Sequence, residues 1–259
     1  MHIVVCIKEV PKGHVSMNPD TGHLIRDSKE NEINPYDLSA IEIAVQIKEK
    51  MKAHLTAITM GPEHAKQVLH TAISMGADEA ILFTDGRFAG ADAYATGYTL
   101  SQGIQILKPV DLIICGQQTT DGDTSQVPFS LAAQSGYPCV GFVKSIHEIT
   151  NRDIEILQEI TGGTARHRVT FPCVLSMTMD CATPRIPTMV QRMKAKRSEV
   201  QIKNLEDLQD TNPLHYGIQA SPTRVRGIEV PMLHRKKEVI ETTPEKALEM
   251  VKKEITCLY

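Results

Sequence analysis

The first half of the chain alternates between two hydrophobic periods, and this alternation limits its possible folds more than any other feature. Four short apolar runs rich in β-branched residues predict strands at residues 3–7, 54–60, 79–84 and 110–115. Four segments with helical spacing follow them, at residues 35–50, 63–75, 92–106 and from 125 or 126 to about 136. Repeated strand–helix alternation predicts an α/β fold with right-handed crossovers, a parallel Rossmann-like sheet and helices on both faces.

The pattern changes after residue 137. Four further runs predict strands at residues 140–149, 154–160, 166–170 and 174–177, and an antiparallel extension of the sheet is the simplest account of them. Residues 212–241 show little periodicity, and residues 244–256 predict a final helix. A long irregular segment is uncommon inside a compact domain, which suggests an arm that wraps a partner. The chain is therefore divided into a domain at 1–180, a segment at 181–200 and an arm at 201–259.

Composition and spacing exclude several functional classes. The chain has 28 basic and 31 acidic residues, so a nucleic-acid-binding surface is not expected. No apolar run approaches the roughly 20 residues that span a bilayer, and the N-terminus lacks a signal-peptide pattern, so a cytoplasmic location without membrane insertion is expected. The six cysteines are scattered and the histidines lack ligand spacing, so no metal site is predicted. Catalytic residues are not predicted either, because no nucleophile–base pattern is present.

The strongest candidate binding motif is the polar loop at residues 116–126, with the sequence GQQTTDGDTSQ. It follows a predicted buried strand and opens a helix, at the strand end where parallel sheets bind ligands. Backbone amides at such a helix start, beside Thr and Ser hydroxyls, can hold a phosphate. An ordinary loop whose Asp and Thr side chains cap the helix explains the same spacing. Neither G-x-G-x-x-G nor a Walker pattern is present.

Two further polar motifs precede predicted helices. At residues 88–96, Gly90 allows close backbone approach and Asp92 is a natural N-cap, so capping alone explains this motif. At residues 34–37, Asn34 is held extended by the following proline. Its side chain either meets a base or ribose, or merely caps the helix.

A short basic stretch lies at residues 192–197, with apolar residues interleaved before and within it. Such a run is usually a solvated helix face. With Ile186, Met189, Val190 and Met193 among the basic residues, it is alternatively an exposed docking segment.

Taken in order, these motifs resemble the beta subunit of electron transfer flavoprotein. The matching segments are VVCIKEVP at 4–11, NPYD at 34–37, MGP at 60–62, SMGAD at 74–78, DGDTSQ at 121–126 and PR at 184–185. The resemblance runs from residue 1 to about residue 230. It implies a heterodimer with an alpha subunit that carries its own FAD, and an adenine nucleotide lying across the strand ends of this chain.

The resemblance also implies roles for individual residues. Cys6 and Lys8 line the nucleotide, and Asn34, Tyr36, Asp37 and Met60 lie near the adenosine. The phosphate is surrounded by residues 119–130, and the cofactor-binding residues there are Thr119, Asp121, Gly122, Asp123, Thr124, Ser125, Gln126 and Val127. Asp92 and Thr96 join them from the neighbouring motif. Residues 181–200 dock a dehydrogenase through Ile186, Met189 and Met193, and residues 201–259 pack on the alpha subunit.

The family has two branches. In one, the beta subunit holds a structural AMP and the complex carries single electrons. In the other it holds a second FAD, takes hydride from NADH and bifurcates the electrons, one to ferredoxin or flavodoxin and one through the alpha-subunit FAD to a flavin dehydrogenase or reductase. Residues 88–96 and 121–124 resemble the second branch, although Ala93 and Val127-Pro128 stand where a Thr and Val-Gly are expected. The resemblance therefore predicts FAD, with AMP as the alternative.

Three other interpretations remain at this stage. Arg166, after the Gly162-Gly163 turn, is placed near a flavin or NADH, or is a surface arginine on a strand edge. A regulatory nucleotide-binding protein with the same sheet would bind ATP or AMP without an alpha partner. A phosphate-activating ligase of similar topology needs a Ser-Gly-Gly-x-Asp-Ser loop after the first strand. Residues 8–13 read KEVPKG instead, which argues against this class.

Overall fold

The structure is a computed structural model that describes residues 1–12, 16–17, 24–25, 31–224, 239 and 241–256. The chain divides into two compact units, Met1–Gly227 and Ile228–Tyr259. The first unit contains all of the predicted site residues. Within the described residues of the second unit lies one helix, α7 below, which confirms the helix predicted at residues 244–256.

The strands are β1 (His2–Cys6), β2 (Glu9–Pro11), β3 (Ser16–Met17), β4 (Leu24–Ile25), β5 (Asn31–Ile33), β6 (His54–Met60), β7 (Glu79–Phe83), β8 (Leu112–Gly116), β9 (Cys139–Ile149), β10 (Asp153–Ile160), β11 (Gly163–Thr170), β12 (Cys173–Met177) and β13 (Gln201–Lys203). The α-helices are α1 (Pro35–Met51), α2 (Lys66–Met75), α3 (Ala93–Leu107), α4 (Val127–Ser135), α5 (Met189–Arg197), α6 (Gly217–Ala220) and α7 (Pro244–Thr256). Short 3-10 helices lie at Glu63–Ala65, Gly86–Phe88, Leu205–Asp207 and Pro213–His215.

Nine strands form the main sheet, in the order β11-β10-β9-β12-β8-β1-β6-β7-β13. All neighbours from β9 to β13 are parallel, whereas β10 pairs antiparallel with both β9 and β11. The predicted parallel sheet and its antiparallel extension are confirmed. The strand predicted at 174–177 differs, because β12 lies inside the parallel part, between β8 and β9. Its residues are buried along the whole strand, which is typical of a central parallel strand.

Helices cover both faces of the sheet, as predicted. Alternate residues of β1 show this directly, since Ile3 and Val5 pack in the core cluster of α1 and α2. Val4 and Cys6 pack in the opposite cluster with α3 and α4. A strand that is apolar on both sides is therefore explained by two helical layers.

The helix boundaries coincide with proline and glycine residues in the sequence. Helix α1 begins with Pro35 in its first turn, a position where the missing N–H costs nothing. Gly76 caps the C-terminal end of α2, and Gly136 caps that of α4 with a φ of 70°, a left-handed conformation that glycine adopts without strain. These ends agree with the predicted ones to within about two residues.

The beginning of the predicted arm, residues 201–224, is part of the first unit. Strand β13 pairs with β7 at the edge of the sheet, and Leu205, Leu208 and Tyr216 are buried in the core cluster of α3 and α4. Residues 225–238 of the arm, and Cys257, lie outside the described residues. The prediction that residues 201–259 contact an alpha subunit stays a prediction.

No helix in the described part of the chain has the length and apolar composition needed to span a bilayer.

Candidate functional site

The chain reverses its direction of sheet growth between β1 and β8. From β1 it proceeds to β6 and β7 on one side, and it later returns to place β8 and β12 on the other side. The carboxyl ends of β1 and β8 thus form a switch point, the place where parallel sheets bind ligands. Cys6 and Cys115 are in register there, near the two strand ends. This switch point is where the motifs at residues 8, 34–37 and 116–126 meet.

A buried carboxylate, that of Asp37, holds the switch point together. Asp37 lies in the first turn of α1, and its Oδ2 accepts a 2.7 Å hydrogen bond from the backbone N–H of Lys8. The backbone N–H of Gly116 and the side chain of Asn34 also donate to it. Burial raises the pKa of Asp37 to about 7, although these hydrogen bonds oppose the shift. One side chain thus joins the ends of β1, β8 and α1.

The motif at 34–37 fixes the loop that follows β8. The Asn34 Nδ2 donates to the carbonyl of Gln118 at 2.8 Å, and its Oδ1 accepts from the N–H of Thr120 at 3.3 Å. The Gln118 Nε2 donates to the Tyr36 hydroxyl at 2.9 Å, and the Ser125 hydroxyl donates to the Gln118 Oε1 at 3.2 Å. The sequence pattern predicts no individual role for Gln118. Its signal is only its position, two residues after the end of a buried strand.

The loop backbone is unusual at two positions. Asp123 and Ser125 adopt left-handed conformations, with φ values of 50° and 54°, and the Asp123 N–H donates to the Thr119 carbonyl at 2.9 Å. Left-handed conformations are uncommon for residues other than glycine, and they cluster at binding sites when the surrounding structure enforces them. The shape of this loop is therefore maintained at an energetic cost.

Helix α4 begins without a side-chain cap among the described residues. Gln126 occupies the N-cap position and makes no capping hydrogen bond, and Pro128 in the first turn has no N–H. The amides of Val127 and Phe129 are thus first-turn donors that lack a side-chain acceptor. The interpretation in which an Asp or Thr side chain of the loop caps α4 is therefore wrong. An open helix start is suited to an anion.

Lys8 supplies a positive charge beside this loop. Its Nζ lies 2.7 Å from both carboxylate oxygens of Asp121. Burial would raise the pKa of Asp121, but the ion pair with Lys8 and a hydrogen bond from Thr119 together oppose it and the pKa is lowered. The structure thus joins two residues predicted to contact the nucleotide, although 113 positions separate them in the sequence.

The other predicted loop residues lie around this pair. Thr119 and Val127 are half-buried, and Gly122, Asp123, Thr124 and Gln126 are exposed on the loop. Met60, at the end of β6, is half-buried against the core cluster of α3 and α4, and Cys6 is buried in that cluster. The Cys6 thiol contacts Cys115, whose pKa is raised by this neighbour and by burial. The predicted nucleotide contacts of all these residues stay predictions.

Asp92 caps α3, as the capping interpretation predicts. Its Oδ1 accepts from the N–H groups of Tyr94 and Ala95, both at 3.0 Å. Its Oδ2 accepts from the N–H and the hydroxyl of Thr223, at 2.9 and 2.7 Å. Asp92 therefore joins the start of α3 to the segment after α6, a partner that the sequence did not reveal. A contact of Asp92 or Thr96 with a cofactor stays a prediction.

Replacing Asp92 by alanine should lower the free energy of unfolding by about 1 kcal/mol, because two helix amides lose their acceptor. Asp92→Asn keeps one oxygen for the cap and should lower the free energy of unfolding by less than Asp92→Ala. Urea unfolding of both variants measures this difference. Equal losses in the two variants would contradict the assignment of the cap to Oδ1.

The start of α3 packs against the middle and the end of α4. The Gln134 Nε2 donates to the Tyr94 carbonyl in the first turn of α3 at 2.9 Å. Gly97 packs directly on α4, and a Cβ there would overlap Ser130 and lie 2.9 Å from the backbone nitrogen of Leu131. These contacts thus join the first two turns of α3 to residues 130–134 of α4.

The predicted docking segment contains an exposed helix, α5. Thr188 and Gln191 form a capping box at its start. Ile186, Met189, Val190 and Met193 are 86%, 73%, 76% and 52% exposed, and the basic residues of the stretch lie on the same helix. Large apolar side chains at this exposure are typical of an interaction surface. Their role in docking stays a prediction.

Arg166 does not lie at the switch point. It is exposed on the edge strand β11, and its Nη1 is 3.2 Å from Glu155 on β10. Four strands, β10, β9, β12 and β8, separate β11 from β1. Within this chain, Arg166 is therefore a surface arginine on a strand edge.

Comparison with known proteins agrees with this architecture. Residues 21–208 match the electron transfer flavoprotein domain family. The chain is 36% identical over 248 residues to the electron transfer flavoprotein subunit beta of Clostridium acetobutylicum, covering 95% of each chain. It is 37% identical over 227 residues to the caffeyl-CoA reductase-Etf complex subunit CarD of Acetobacterium woodii, covering 87% and 86%. It is 34% identical over 262 residues to the protein FixA of Sinorhizobium fredii, covering 98% and 92%. The chain therefore belongs to the electron transfer flavoprotein family, among its beta subunits.

Proposed function

We propose that this chain is the nucleotide-binding beta subunit of a bifurcating electron transfer flavoprotein. It pairs with an alpha subunit, binds FAD at the switch point, and accepts hydride from NADH. The electrons leave singly, one to ferredoxin or flavodoxin and one through the alpha-subunit FAD to a flavin dehydrogenase or reductase. The flavin supplies this redox chemistry, and the protein sets its position and environment.

The observation that carries the proposal is the open start of α4 behind a strained loop at the switch point. The amides of Val127 and Phe129 and the ammonium of Lys8 would hold a phosphate there. On binding, a phosphate would replace Asp121 as the partner of Lys8. Asn34 and Tyr36 hold the same loop from the side of α1, where the adenosine would lie.

FAD is favoured over AMP by the motifs at residues 88–96 and 121–124, which resemble the branch of the family whose beta subunit holds a second FAD. The name of the Acetobacterium woodii relative places that protein in a reductase complex, which supports a reductase as partner. AMP is the second candidate. The observation in its favour is that Asp92 already occupies the amides of Tyr94 and Ala95, so that α4 alone is open.

Cofactor content distinguishes the two candidates. The chain would be co-expressed with its alpha subunit, purified anaerobically and denatured, and the released FAD and AMP quantified. We expect two FAD per heterodimer. We also expect NADH to reduce ferredoxin only when the dehydrogenase and its substrate are present. One FAD and one AMP would contradict bifurcation and leave a one-electron carrier. An acyl-CoA dehydrogenase, an enoyl-CoA reductase and a lactate dehydrogenase form the panel of acceptors.

We also propose that the exposed face of α5 docks the dehydrogenase or reductase. Apolar side chains supply the central contact, and the basic residues around them suit a partner with an acidic rim. Met189→Ser should raise the KM for the acceptor protein severalfold while the flavin content remains unchanged. An unchanged KM would contradict docking through this face.

Lys8→Met tests the phosphate site. Removing a charge-assisted hydrogen bond should weaken nucleotide binding about 10-fold to 100-fold. The variant would be measured by flavin release during dialysis of the heterodimer. Lys144→Met is the matched control, because Lys144 forms an exposed ion pair with Asp180 and two strands, β12 and β8, separate its strand β9 from β1. Equal flavin retention in the two variants would exclude Lys8 from the site.

A further inference from the structure

The segment that precedes α5, the proposed docking helix, is attached to α1 through Arg185. The Arg185 Nε lies 2.8 Å from the Glu42 Oε2, and its backbone N–H donates to the same oxygen at 3.0 Å. The two terminal nitrogens of its guanidinium donate to Glu49 at 2.7 and 3.2 Å, and one of them also donates to Glu42 at 3.1 Å. Helix α1 therefore binds both the side chain and the backbone of Arg185.

Glu42 is a buried partner, since its side chain is only 6% exposed. Burial would raise its pKa, but the hydrogen bonds from Arg185 and Gln46 outweigh burial and the pKa is lowered. The Ser39 hydroxyl, one turn earlier on α1, donates to the Met179 carbonyl at 2.6 Å. Residues 39, 42, 46 and 49 are spaced along one stripe of α1, so residues 179–185 lie against a polar face of this helix.

The far end of α5 is held by α2. Ala195 is buried, and a ring nitrogen of His70 lies 2.8 Å from its carbonyl oxygen. Between these two attachments the apolar side chains of α5 are exposed. The docking face is thus presented on a helix whose two ends are anchored to different elements of the domain.

We propose that Arg185 is a positioning residue for the docking face, an inference that rests on the proposed docking function of α5. Arg185 lies three residues before the capping residue Thr188, so its attachment to Glu42 and Glu49 sets the direction in which the chain enters α5. A face that is ordered before encounter loses less conformational freedom when the partner binds. Arg185 itself need not contact the partner.

Hydrogen exchange of the α5 amides tests the positioning directly in the purified heterodimer. Arg185→Met should accelerate exchange of the amides of residues 191–194 about tenfold, because the entry to the helix is released. Arg168→Met is the matched control, since Arg168 forms a similar network with Glu148, Asp153 and Glu155 on the antiparallel strands. This control should leave α5 exchange unchanged.

The single variant leaves the Glu42 carboxylate buried without its main partner, which destabilises folds in general. The double variant Arg185→Met/Glu42→Met removes that charge while still releasing the segment. It should fold and show the same faster exchange of α5. Exchange at the wild-type rate in the double variant would overturn the proposal.

Electron transfer to the best acceptor of the panel supplies the functional measurement. Arg185→Met and the double variant should raise the KM for the acceptor protein about threefold to tenfold with kcat within twofold, since docking and not flavin chemistry is affected. If Met189→Ser raises KM and the double variant does not, positioning by Arg185 is wrong while docking through α5 stands. If Met189→Ser leaves KM unchanged, the docking function fails, and the inference fails with it.

Discussion

Replacing Gly116 by alanine should destabilise the folded chain by about 3 kcal/mol and lower its nucleotide content. A Cβ at this position would overlap the Asp37 Oδ1 and lie 3.0 Å from the backbone carbon of Tyr36. Asp37 is buried and has no space to withdraw, so overpacking adds to the weakening of its hydrogen bonds. The measurement is the urea midpoint of the purified chain at a constant m-value.

Gly163→Ala is the control for this variant. Gly163 has no neighbouring atom within 4 Å of a Cβ, and its φ is not positive. Its replacement should change the free energy of unfolding by no more than about 0.5 kcal/mol. If Gly116→Ala and Gly163→Ala unfold at the same urea concentration, the close packing of Asp37 beneath the switch point is contradicted.

The second large effect is a dependence of stability on pH that originates at Asp37. The ordinary pKa of this group is 3.8, and burial raises it to about 7 in the folded chain. Between these values the folded chain binds a proton that the unfolded chain has lost. The stability from this group is complete below about pH 4 and is lost as the pH rises toward 7, at no more than about 1.4 kcal/mol per pH unit.

Asp37→Asn isolates this dependence, because its side chain has nearly the same size and does not titrate. Urea unfolding of the wild type and of Asp37→Asn would be compared from pH 4.5 to pH 7.5. The difference in free energy, wild type minus variant, should fall with rising pH, whereas contributions from other titrating groups cancel. A difference that is constant across this range would show that the pKa of Asp37 is not raised.

The regular elements of the first half could be predicted because their signals are local. The helix at 35–51 carries apolar residues at helical spacing and a proline in its first turn, and the helix ending before Gly136 has a glycine stop. The position of the 116–126 loop followed from its polar composition after a buried strand. These properties depend on neighbours within one turn or one strand.

The contacts that build the site could not be predicted, since they join distant parts of the chain. Lys8 and Asp121 are 113 positions apart, and Arg185 and Glu42 are 143 apart. The packing of residues 201–221 was missed for the same reason. Tyr216 is fully buried and contacts Phe88 and Tyr98. The hydrophobic pattern near residue 216 does not predict these contacts.

Helix α1 contributes to two separate tasks at its two ends. Asp37 in its first turn belongs to the switch point, and Glu49 near its end holds Arg185. Twelve residues of helix separate them, a distance of about 18 Å. On the docking role proposed for α5, substitutions near residues 181–197 would alter which protein is recognised without moving the switch point. Such a division would allow relatives to exchange redox partners during evolution while the proposed nucleotide site is retained.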